Sequence, residues 1–216
     1  MKKGAIFDMD GLLLDTEKIY QDGWVKLAPR FTEHPNAEVP KACSGSAGDQ
    51  VLKILESYYP GVDGKAYLEG VIAYYTAHVE DDMRLKPGVV ELLTYFQSAG
   101  VKLAVASSTF LSQIHRNLEI AGIASYFDEI VSSLDVANNK PAPDVFLKAA
   151  SGLALQPEDC YVFEDAINGV KAGLCAGCST VMIPDSQQPL PQFYEECAGI
   201  FPSLNEALVA IESKIL

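Results

Sequence analysis

The chain has 216 residues, 49% of them apolar, enough to bury one substantial core or a core with a smaller insert, which excludes a disordered chain. Its 29 acidic residues against 16 basic ones give a net charge of −13, a field that repels nucleic acid and anionic membranes, and no Lys/Arg cluster offsets it. An anionic substrate has to be held by a local device such as a divalent cation and one well-placed Lys.

Met1-Lys2-Lys3 leads into Gly4-Ala5-Ile6-Phe7, which reads as a short buried strand; Asp8 and Asp10 interrupt the apolar run before a signal peptide can form. No stretch approaches membrane-spanning length, and a cytoplasmic protein is expected. In Phe7-Asp8-Met9-Asp10-Gly11 two carboxylates stand two residues apart where the strand breaks into a turn. Alone, Asp10-Gly11 reads as a turn and Asp8 as a helix cap. Held at the end of a buried strand, however, two such charges persist only if a cation or a shared proton compensates them.

Residues 16–82 carry aromatic-rich amphipathic stretches, with Ile19, Tyr20, Trp24 and Leu27 in the first and Tyr67, Val71, Tyr74 and Tyr75 in the last, separated by Pro, Gly and Asn. They predict a helical insert whose aromatic stripe is its own core. From residue 83 the rhythm changes. Pro87-Gly88 opens a helix with Val89, Leu92, Leu93 and Phe96 on one face, closed by Gly100. A strand over 101–106 ends at Ser107-Ser108-Thr109, a helix bears Leu111, Ile114, Leu118 and Ala121, and a strand covers 127–131. Helix 145–150, strand 160–163, helix 167–176 and strand 179–183 follow. This alternation predicts an α/β fold, a Rossmann-like parallel sheet flanked by helices, made of residues 1–15 and 83–216 around the helical insert 16–82.

Chemistry in such a sheet belongs at the carboxyl ends of its strands. Asp8 and Asp10 follow the first strand, Ser107 the second, Lys140 lies in a loop before a helix, and Glu164-Asp165 follows Phe163. Singly, these read as a helix cap, a solvated Lys and an acidic first helical turn. Together, at one sheet edge, they read as a site.

In this order the segments Phe7-Asp8-Met9-Asp10-Gly11-Leu12-Leu13-Leu14-Asp15-Thr16-Glu17, Val105-Ala106-Ser107-Ser108, Lys140-Pro141-Ala142-Pro143-Asp144 and Val162-Phe163-Glu164-Asp165-Ala166-Ile167-Asn168-Gly169 resemble the four motifs of the haloacid dehalogenase superfamily. They are similar to those of the branch that holds β-phosphoglucomutase and pseudouridine monophosphate phosphatase. Asn139, where Gly commonly precedes the Lys, departs from the pattern and is expected to alter a turn only. The resemblance implies a Rossmann-like core with a helical cap over 16–82 and a magnesium-dependent phosphatase acting on a small phosphorylated metabolite. Asp8 would be the nucleophile and Asp10 the acid and base. Magnesium would be held by Asp8, Asp10 through its carbonyl, and Asp165, with Glu164 holding a metal-bound water or orienting the shell. Lys140 would balance charge at Asp8, and Ser107 would hold phosphoryl oxygens. Gly11, Thr16, Gly45, Ser108 and Thr109 complete the implied phosphate and substrate contacts. A monomer is expected.

His34, His78 and His115 form no ligand spacing and read as cap, core or surface residues. Five cysteines, an odd number without a dense framework, read as reduced thiols. Cys175-Ala-Gly-Cys178 has the spacing of a redox or zinc pair but no second pair, and reads as structural. Two alternatives stay open. A receiver-type signalling module shares an Asp, a Lys and acidic metal ligands but has no use for an acid/base two residues after its phosphorylated Asp. A phosphomutase needs a cation in its cap, whereas this chain has Gly48 where an Arg would fall and Tyr20 in place of a His.

Overall fold

The computed structural model describes residues 1–44 and 48–216. The chain divides into an α/β unit, Met1–Leu14 with Leu85–Leu216, and a helical unit, Asp15–Arg84. In chain order the elements are β1 (Gly4–Phe7), α1 (Thr16–Leu27), α2 (Val39–Cys43), α3 (Asp49–Tyr58), α4 (Gly64–Asp82), α5 (Val89–Ser98), β2 (Lys102–Ser107), α6 (Leu111–Ile120) and β3 (Glu129–Ser132). Then come α7 (Asp144–Gly152), β4 (Cys160–Glu164), α8 (Ile167–Cys175), β5 (Ser179–Met182), α9 (Phe193–Glu196), β6 (Gly199–Ile200) and α10 (Leu204–Glu212). No helix among the described residues is long and apolar enough to cross a membrane.

Among the described residues the strands form one sheet in the order β3-β2-β1-β4-β5-β6, every pair parallel. Both faces are covered, so β1 and β4 are continuous apolar runs rather than alternating ones. Phe7 of β1 is in register with Phe163 of β4, and their rings stack at 4.8 Å. Phe96 packs on both, and α5 buries Val89, Leu92, Leu93 and Phe96. Each fully buried side chain of this size contributes roughly 1.5–3 kcal/mol. Because the sheet is wound outward from β1 in both directions, a crevice opens beyond the carboxyl ends of β1 and its neighbours.

The helical unit has its own core. Trp24, Leu27, Val51, Leu55, Tyr67 and Val71 are buried together, Tyr67 meets Trp24 edge-on at 4.9 Å and stacks on Phe31 at 4.5 Å, and its hydroxyl donates to the Trp24 carbonyl. The aromatic stripe is therefore packing. At the chain crossings, the Asp15 N–H donates to Arg84 O within the helical unit. Within the α/β unit Leu14 bridges Leu85 and the Lys86 N–H donates to Leu13 O. These bonds set the division one residue earlier at the first crossing, and two later at the second, than the expected boundaries of 15 and 83.

Other differences are local. Strand β3 begins at Glu129 because Asp128 turns its carboxylate to accept from the Leu103 N–H at 2.8 Å. The terminal α9, β6 and α10 have no counterpart among the predicted elements. The cysteines are free; Cys175, at the end of α8, is exposed, while burial pushes the Cys178 thiol up to about 12.

Candidate active site

Strand β1 delivers Asp8 to the crevice, and the Asp8 N–H donates to Phe163 O at 3.0 Å, tying its backbone to β4. The next residues turn back sharply: Leu13 and Leu14 both donate to Met9 O, and Gly11 donates to Leu14 O. Gly11 has φ +86, and a Cβ there would stand 2.5 Å from Asp165 Oδ2, so glycine is required twice over.

Lys140 approaches from the loop before α7 and places its ammonium against three strand ends. It donates to Asp8 Oδ1 at 2.5 Å (β1), Ala106 O at 3.0 Å (β2) and Glu164 Oε1 at 2.6 Å (β4). All three N–H donors are thus committed. The side chains of Lys140, Asp8 and Glu164 are 8%, 10% and 1% exposed, so these ion pairs are hardly screened. Burial pulls the Lys140 ammonium down, but Asp8 and Glu164 outweigh it and the net displacement is upward.

Glu164 also accepts from the backbone N–H groups of Asp165 and Ala166 with Oε2. Both of its oxygens are therefore engaged, one by the Lys140 ammonium and the other by two backbone N–H groups. Gly169 of α8 makes room for it, since a Cβ at 169 would overlap the Glu164 carboxyl group. Burial pushes Glu164 up to about 7, with Asp8 adding to the shift and Lys140 opposing it.

Asp8, Glu164 and Asp165 each offer a carboxylate oxygen within 4.8 Å of the others, all buried. Burial, with Glu164 and Asp8 close by, pushes the Asp165 carboxyl well above the usual range despite Lys140. Three buried carboxylates against one ammonium leave the cluster short of positive charge, and an all-oxygen donor set of this kind suits a hard divalent cation such as magnesium.

Asp10 stands beside this cluster, its Oδ2 accepting from Thr109 Oγ1 at 2.8 Å and, at 3.4 Å, from Ser107 Oγ. Thr109, expected to hold phosphate, here orients Asp10, and it is held in turn by Ser132 Oγ on its carbonyl. Ser107 Oγ accepts from the Thr109 N–H, closing a tight turn that leaves Ser108 exposed. Of the other expected contacts, Thr16 is buried at the start of α1 in the helical unit, and Gly45 lies outside the described residues. His34 and His115 are exposed, and His78 stacks on Tyr74.

Lys86, Asp185 and Gln187 also reach this edge and were not among the expected residues. Lys86 Nζ donates to Asp185 Oδ1 at 2.7 Å, and Gln187 Oε1 accepts from the Ile167 N–H at 2.9 Å. A signal existed for Asp185, since it too follows an apolar strand.

A family model described as haloacid dehalogenase-like hydrolase matches residues 5–183. A probable pseudouridine-5'-phosphatase of Drosophila melanogaster is 32% identical over 190 residues, covering 84% of this chain and 81% of that protein. Among solved structures, a haloacid dehalogenase-family hydrolase from Deinococcus radiodurans with bound phosphate and sodium superposes with a TM-score of 0.82 at 27% identity, over 100% of this chain and 97% of that one. A β-phosphoglucomutase from Clostridium difficile gives 0.76 at 25% identity, over 100% and 97%. With its sheet order and the carboxylates at its strand ends, the chain belongs to the haloacid dehalogenase-like hydrolases, as a phosphoric monoester hydrolase.

Proposed function

We propose that this protein is a magnesium-dependent phosphatase that hydrolyses a small phosphate monoester, a sugar phosphate, polyol phosphate or nucleotide-like ester, through an aspartyl phosphate on Asp8. The observation that carries this reading is the buried Lys140 ammonium on Asp8 Oδ1, which fixes the carboxylate by one oxygen and leaves the other to act as nucleophile. Asp8 attacks phosphorus, the ester P–O bond breaks, and Asp10, oriented by Thr109, gives its proton to the departing oxygen. Asp10 then takes a proton from the water that attacks the aspartyl phosphate, and the bond to Asp8 breaks, releasing phosphate. Lys140 lends its positive charge beside Asp8, where charge on the transferring group develops.

Asp8, Asp165 and the Asp10 carbonyl would hold magnesium, which when bound neutralises phosphoryl charge and lines the group up with Asp8. That the Deinococcus radiodurans hydrolase was solved with bound phosphate and sodium is in keeping with a family protein that takes up an anion and a cation. The helical unit, inserted directly after the Asp10 turn, is assigned the role of a cap that excludes water and selects the leaving group.

Hydrolysis is favoured over phosphoryl transfer to a second sugar hydroxyl. Tyr20, where the mutase pattern has a His, stacks on Tyr75 at 4.4 Å as part of the packing of the helical unit, and Gly48 replaces the expected cation. The test is a phosphate-release screen over sugar, polyol and nucleoside monophosphates with and without magnesium, with Asp8→Asn as the blank. Turnover by Asp8→Asn should fall by about 10³-fold or more while its circular dichroism matches wild type. A folded Asp8→Asn protein with full activity refutes the nucleophile, and full activity after EDTA treatment refutes the metal.

A further inference from the structure

The segment after β5 wraps the carboxylate turn from outside. Its Ile183 N–H donates to Glu164 O at 2.7 Å, and Gln187 Oε1 accepts from the Ile167 N–H at 2.9 Å, so it is pinned on both sides of Asp165. Asp185 lies between these anchors. Its Oδ1 takes the Lys86 ammonium at 2.7 Å, with both side chains about three-quarters buried. Its Oδ2 faces Gly11: a Cβ built there would lie 3.5 Å from Asp185 Oδ2 and 2.5 Å from Asp165 Oδ2. The two carboxylate oxygens are therefore no farther apart than those two distances laid end to end.

Lys86 is itself fixed, because its N–H donates to Leu13 O in the turn that carries Asp10 and Gly11. The pair thus joins three pieces of chain around the carboxylate cluster: the 10–14 turn, the segment entering α5, and the segment leaving β5. Asp185 is close enough to act on a cation held by Asp8 and Asp165, yet it is outside the set of three carboxylates that converge within 4.8 Å.

We propose that Asp185 and Lys86 are positioning residues for the metal. Asp185 draws the cation in by charge and by accepting from its hydration shell, and Lys86 holds that carboxylate in place and limits the negative charge it delivers. Magnesium keeps several of its waters when bound to proteins, so a carboxylate beyond the direct ligands still has donors to accept from. This rests on the magnesium reading above.

The two residues then make opposite predictions. Removing the carboxylate in Asp185→Asn weakens attraction for the cation, whereas removing the ammonium in Lys86→Met leaves Asp185 uncompensated and strengthens it. If the pair were only a strap, both changes would loosen the same segment and weaken binding alike.

The experiment is calorimetric titration of metal-free protein with magnesium chloride in dilute buffer, which reads binding without turnover. Asp185→Asn should bind about five- to tenfold more weakly than wild type and Lys86→Met about threefold more tightly, both differences shrinking in 0.5 M salt. The double variant, having lost a neutral pair, should lie within about twofold of wild type. Circular dichroism and thermal midpoints check that each variant is folded, and the double variant keeps the test decisive if a single one is not. Weaker binding in both single variants, unchanged binding in Asp185→Asn, or a double variant weaker than either single one overturns the proposal. Wild-type protein that binds no magnesium overturns the metal reading with it, whereas wild-type binding that Asp165→Asn abolishes and Asp185→Asn leaves intact overturns the positioning role alone.

Discussion

Replacing Lys140 by Met removes a cation that the ends of β1, β2 and β4 share, and its cost should depend on pH in a defined direction. In metal-free protein the change leaves Asp8, Glu164 and Asp165 buried and facing one another. Glu164 is already pushed up to about 7 by burial, with Asp8 adding to the shift, and it loses the opposing pull of Lys140. Its ordinary value is 4.5, so between that value and the native one the folded protein holds a proton that the unfolded chain has released. Stability therefore falls as pH rises through the window. Truncating one partner of a buried ion pair costs about 3–5 kcal/mol when the remaining charge stays charged. That cost should appear at about pH 8 and shrink to roughly 1 kcal/mol near pH 5, where protonation removes the uncompensated charge. Urea unfolding of wild type and Lys140→Met in EDTA at the two pH values measures it. Adding Glu164→Gln to Lys140→Met should restore about 2 kcal/mol at the higher pH and little at the lower. Turnover, by contrast, should fall on the order of 10²-fold at every pH and magnesium concentration, because a preorganised charge beside the nucleophile is missing. Equal destabilisation at both pH values would refute the charge reading, and an unchanged turnover would return Lys140 to a purely structural part.

In Gly169→Ala the added methyl displaces the Glu164 carboxyl from Lys140, so the variant should lose about 2 kcal/mol in urea unfolding, against the roughly 1 kcal/mol gain that helix propensity alone gives; a stabilised variant would contradict the packing. Thr109→Val removes the donor on Asp10 Oδ2 and should lower kcat about tenfold with KM and phosphate inhibition nearly unchanged; a shift in KM alone would make Thr109 a phosphate ligand instead. With β-glucose 1-phosphate, catalytic glucose 1,6-bisphosphate and magnesium, phosphate should be released slowly and little glucose 6-phosphate formed. Rapid bisphosphate-dependent glucose 6-phosphate without phosphate release would establish a mutase.

The α/β order was legible because each long segment has one period: α5 repeats its apolar residues at helical spacing, and β1 and β4 are unbroken apolar runs between turns. Strand β6 was not, since two residues carry no period and only its pairing with β5 makes it a strand. At the site, Asp8 and Glu164 could be grouped from sequence because each lies at the end of a strand in an alternating fold, and Lys140 joined them as a cation in the loop that leads into the next helix. The bond from Thr109 to Asp10 and the pair Lys86–Asp185 could not, because each joins residues 99 positions apart through a backbone path that no local pattern encodes. The engagement of both Glu164 oxygens was hidden for a related reason: it depends on Gly169 leaving a space, and a glycine in a helix reads from sequence only as a weak helix former.

The position of β1 also constrains how the protein is made. It is synthesised before every other strand of its sheet, yet Gly4 pairs with Lys102 on one side and with Cys160 on the other. At ~5–20 residues per second, Ala5, Ile6 and Phe7 wait on the order of ten seconds for β2 and longer for β4. During that interval an apolar segment ending in Asp8 has neither of its sheet neighbours, and all of residues 15–84 are synthesised before the first one exists. Of the interior strands of this sheet, the one that carries the proposed nucleophile thus waits longest between its synthesis and its enclosure, and over that interval the residues on which the chemistry is built are open to wrong pairings and to chaperones.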